Sequence, residues 1–145
     1  MSRNDGSNEA HLAVEHGPLA APVLGRVVGM LAARAGCPID RLDDALLIAD
    51  AVAARAGSFS DDGRVGVHVA ARTGVVELNV GPLREEGASG LIASAELPGV
   101  GNILERVADE LTPEHANAHE YLRIRMAFGT PHPSGMITME DPDAP

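Results

Sequence analysis

The run DDALLIADAVAARAGSFSDDGRVGVHVAARTGVVELNV, residues 43–80, changes its hydrophobic period partway along, and that change decides the fold class. From Leu42, just before the run, Ala45, Leu46, Ala49, Val52, Ala53 and Ala56 recur at helical spacing and make one apolar stripe with it. Asp40 is the expected N-cap of this helix, and Gly57 closes it. After the turn SFSDDGR the period becomes two: Val65, Val67 and Val69 alternate, then Val76, Leu78 and Val80, joined at Arg72-Thr73-Gly74 as a hairpin. A striped helix and a one-faced hairpin in one chain call for an α+β architecture, in which helices cover one side of an antiparallel sheet.

Outward toward the N-terminus, Leu12 and Val14 alternate in a short strand from His11 to Glu15. Gly17-Pro18 opens a helix on which Leu24, Val27, Val28, Leu31 and Ala35 share a face, and Gly36 sits at the left-handed C-cap position. Toward the C-terminus, GPLREEGASGLIASAELPG reads as a long loop with room for one helical turn. Asn102 then opens a third helix, burying Ile103, Leu104, Val107, Ala108 and Leu111. Leu122, Ile124, Met126 and Phe128 alternate in a last strand. The predicted order is strand, helix, helix, strand, strand, helix, strand: three main helices on a mixed, mostly antiparallel sheet. Residues 10–129 form this domain. Residues 1–9 and the acidic, proline-rich tail 130–145 bury too little apolar surface to offset ordering entropy and are expected to be disordered.

The 145 residues suffice for one self-supporting core, which must be aliphatic, since Phe59, Tyr121 and Phe128 are the only aromatic side chains of the Phe, Tyr and Trp class. Eleven arginines, no lysine and 21 acidic residues leave a net charge of −10, which disfavours direct nucleic-acid binding and favours protein or small-molecule partners. No apolar run is long enough to span a bilayer and no leader-like segment opens the chain, and the lone Cys37 fits a reducing compartment, so a cytoplasmic location is expected.

Three local patterns in that order resemble the Bergerat (GHKL) ATPase domain shared by bacterial anti-sigma serine kinases, sensor histidine kinases and gyrase, in its short single-domain anti-sigma form. The resemblance runs from about His11 to Phe128 and implies a two-layer α/β sandwich. DDALLIADAVAARAG, residues 43–57, is similar to the family helix that carries a Glu and, four residues on, a magnesium-binding Asn. Asp50 stands at the Glu position and is the expected catalytic residue; Ala54 stands at the Asn position and offers no oxygen. VVELNVGPLREEGASG, residues 75–90, resembles the strand leading to the adenine pocket, but Gly81-Pro82-Leu83 follows it without the family's base-reading Asp. LPGVGNILERVADEL, residues 97–111, resembles the glycine-rich lid, with Gly99, Gly101 and Asn102 placed to approach a phosphate at a helix start.

The resemblance thus implies a regulator whose nucleotide residues, Asp50, Ala54, Gly81, Gly99, Gly101 and Asn102, keep the positions but lack the chemistry for ATP and Mg²⁺. It implies action through a sigma factor or a phosphorylatable anti-sigma antagonist of the STAS type, and homodimerisation. Two rival readings stand beside it: a divergent ATP-dependent serine/threonine kinase with Asp50 as base, and a switch domain whose cleft takes another small ligand. Elsewhere, His115, His119 and Glu120 fall in a segment read as a solvated loop rather than a metal site, and His68 on the solvent side of its strand. No dedicated metal ligands are expected.

Overall fold

The computed structural model describes residues 7–128. The disorder expected for residues 1–6 and for the tail 130–145 therefore lies outside the described residues, as does residue 129 of the expected domain. The elements are strand β1 (Asn8–Glu15), helices α1 (Ala20–Arg34) and α2 (Ile39–Arg55), a 3-10 turn at Ala56–Phe59, and strands β2 (Arg64–Arg72) and β3 (Val75–Leu83). They continue with helix α3 (Gly87–Ser94), the two-residue strands β4 (Glu96–Leu97) and β5 (Gly101–Asn102), helix α4 (Ile103–Val107), and strands β6 (Glu110–Ala116) and β7 (His119–Ala127).

Five strands make one sheet in the order β1-β2-β3-β7-β6, with every neighbouring pair antiparallel; β4 and β5 pair separately. Alternation sorts the side chains as the sequence predicts. Val67, Val69, Leu78, Val80, Leu122, Ile124 and Met126 are buried on one face, against Leu24, Val28, Ile48 and Val52 of the first two helices. The core is aliphatic, and small side chains bring its layers together: a Cβ on Gly29 would lie 3.4 Å from Leu46 Cδ2 of α2. No helix of the described residues is long and apolar enough to cross a membrane.

Several expectations need correction. The first strand begins at Asn8, so residues 8 and 9, expected to be disordered, pair with Ala71 and Ala70. Asp40 is not an N-cap; Pro38 holds that place with extended backbone, and Asp40 lies in the first turn of α2. The third predicted helix is only five residues long, and Leu111 belongs to β6. The segment around His115 and His119 is not a loop but a hairpin, turning at Asn117 and Ala118, both in the left-handed region. β6 escapes detection because its alternation is weak: of the three positions paired with buried residues of β7, Leu111 is half-buried while Pro113 and His115 are exposed, and only the first is strongly apolar.

The segment read as a loop holds α3. This helix has no side-chain cap of its own, and its preceding residue, Glu86, adopts a left-handed backbone with φ 62°. Its N-terminal amides are met from across the fold. The carboxylate of Glu120 on β7, only 7% exposed, accepts from Glu86 N at 2.7 Å and Ala88 N at 3.0 Å. Those bonds, that from Ala88 foremost, hold the Glu120 carboxyl below its usual 4.5.

Candidate functional site

The residues singled out by the nucleotide-fold resemblance separate into two places. Asp50 and Ala54 lie one turn apart on α2 and line a cleft of about 440 Å³ together with Ala21, Leu47, Leu97 and Ile103. Asp50 is exposed. Arg55, the other charged side chain of the cleft, donates from Nε to Ser94 O at 2.8 Å, which ties α2 to the end of α3. The β4–β5 hairpin forms the rim, with Gly99 at φ 76° and Gly101 at φ 100°, so both turn positions demand glycine.

Asn102 opens α4 as expected, but its amide is consumed. Oδ1 accepts from Glu105 N at 3.1 Å, and Nδ2 donates to Ile92 O at 2.7 Å. Those two bonds cap α4 and lock it to α3, so both ends of this buried side chain have structural partners. Gly81 is elsewhere. It lines concavities on the opposite face of the sheet and packs against β7, where a Cβ would lie 2.5 Å from the Tyr121 ring. The cleft therefore presents one exposed carboxylate, no side-chain amide and mostly alkyl lining. Magnesium adenylate needs several oxygen ligands around the ion and a polar reader for the base, and this set of side chains does not fit it.

The second place was not legible in the sequence. On the sheet face away from the helices, a groove of about 680 Å³ runs between β1–β2 and the β6–β7 hairpin. His11 and His68 stand directly opposite each other across β1 and β2, with rings stacked at 4.2 Å and 22° between planes. His68 Nε2 lies 2.8 Å from Glu9 Oε1. Directly opposite His68 on β3 is Asn79, whose Oδ1 is buried with no hydrogen-bond partner among the described residues. Glu114, His115 and Tyr121 line the far wall. Alternation alone put His68 on the outer face; the partners it meets there depend on β1 pairing with β2, for which no local signal exists.

The remaining polar candidates have structural work. His115 Nε2 lies 3.3 Å from Glu120 Oε2, and His119 Nδ1 lies 3.4 Å from Asp61 Oδ2, so the two histidines serve separate carboxylates. Cys37 is half-buried, and that burial pushes its thiol up, away from nucleophilic use. No protein-family model matches the chain, and no curated protein matches it in sequence.

Proposed function

We infer that the chain is an anti-sigma-factor-like regulatory protein with a degenerate nucleotide site, acting by protein–protein interaction in a bacterial partner-switching or transcription-regulatory pathway. The element order, a strand and two helices, a hairpin, a glycine-containing rim, a short helix and returning strands, supports a two-layer sandwich of the GHKL type. The observation that carries the reading is the cleft at Asp50: it lies where the resemblance would put a nucleotide site on α2, and its lining is mostly alkyl. Around it the helical side exposes large apolar side chains, Leu19 at 69%, Leu47 at 45% and Val100 at 47%. Such side chains suit a protein partner better than solvent. A sigma factor or a STAS-type antagonist is the partner class, with a homodimer as the functional unit.

The test is calorimetry with Mg·ATP and with a candidate sigma factor or antagonist from the same genome. Expected are a flat nucleotide titration and partner binding that Leu47→Asp weakens at least tenfold. Micromolar, magnesium-dependent ATP binding would overturn the degenerate site; partner binding indifferent to Leu47→Asp would overturn the helical face. The exposed carboxylate of Asp50 favours one rival, a divergent serine/threonine kinase. That rival requires phosphate transfer to an antagonist serine, abolished by Asp50→Ala.

A further inference from the structure

We propose that Glu9, His11 and His68 form a binding site for a divalent transition-metal ion of the zinc class on the outer face of the sheet, with an open coordination position toward the adjoining groove. The donor atoms of the three side chains all lie within 4.8 Å of one another. Tetrahedral zinc with bonds of 2.0–2.2 Å sets neighbouring ligand atoms about 3.3 Å apart. Glu9 Oε1 and His68 Nε2, at 2.8 Å, are already near that separation. His11 and Glu9 are exposed, so modest side-chain rotation closes the rest.

The placement is set by backbone, not by side-chain chance. Glu9 and His11 are two residues apart on β1 and so share a face, and the register sets His11 against His68. The two imidazole rings stack at 4.2 Å, which brings both within reach of one ion beside the Glu9 carboxylate. The net charge of −10 favours a cation further. Two imidazoles and a carboxylate select zinc, copper or nickel over magnesium or calcium, whose ligands are oxygens. Three protein ligands leave the fourth position to water or to a ligand atom in the groove. Asn79, on the strand beside His68, lines the same groove. This site lies on the other face of the sheet from Asp50 and stands whether or not the regulatory reading holds.

The test is titration of the full chain with Zn²⁺ by calorimetry and with Co²⁺ by visible absorption. One equivalent is expected, with the d–d band of a tetrahedral cobalt site. His68→Ala should lower affinity at least tenfold and remove the band, while His119→Ala, on the other hairpin, leaves both unchanged. Far-UV circular dichroism checks folding, and Glu9→Gln, at an exposed position, carries the test if His68→Ala unfolds. A flat wild-type titration overturns the proposal. Binding undiminished in Glu9→Gln and His68→Ala, or weakened equally by His119→Ala, does the same.

Discussion

The two faces of the sheet are made by the same strands and differ in almost everything else. The inner face is a close-packed aliphatic layer. The outer face is a polar lattice on one side, where Arg123 meets Glu114 at 3.1 Å and Arg125 meets Glu77 at 3.5 Å, and a histidine-lined groove on the other. Stability is concentrated on the first face, because burying alkyl surface is worth more than exposed ion pairs in water. The second face is thereby free to vary its chemistry at little cost to the fold, which is the condition for a binding site.

Substitution can break that contrast. The largest effect is expected on the inner face: Leu78→Ala, at 2% exposure on the central strand, should destabilise the domain by about 2–5 kcal/mol in denaturant titration. Next comes Glu120, which points inward from β7 to cap α3. Because its folded pKa lies below its usual 4.5, the stabilisation is fully present above that value and is lost as pH falls through the lower folded one. Glu120→Gln should therefore be less stable at neutral pH and show a flatter acid limb between those two values. An acid-unfolding curve with an unchanged slope would remove the capping argument.

On the outer face the effects shrink. Arg123→Ala gives up a contact with Glu114 at a half-exposed position and should cost at most about 1 kcal/mol, reduced further by added salt. A loss matching that of Leu78→Ala would mean the polar lattice shares the work of the core. The smallest effect belongs to the cleft. Ala54→Asn, at an exposed helical position, should change stability by about 0.5 kcal/mol, the difference in helix propensity, which a thermal melt resolves.

Much of the inner face was legible beforehand. The β2–β3 hairpin, both long helices and the last strand announced themselves by period, and Asn102 by its capping chemistry. β6 was hidden because Pro113 and His115 stand where a strand's apolar positions would be, and α3 because its N-terminal cap, Glu120, lies 34 residues away along the chain from Glu86. Of the candidate site, Asp50 and Ala54 were correctly placed on one helix face, since spacing of four dictates that. Gly81 was not, since nothing local says which face of the sheet its strand end adjoins.

Periodicity, composition and local capping are short-range properties, and they determined the α+β class, the aliphatic core and the faces of each long element. Pairing is long-range. Which strand lies beside which, and in what register, follows from the packing of all elements together, and only that brought His11 against His68, Glu120 under α3 and Gly81 to the far side of the sheet from Asp50.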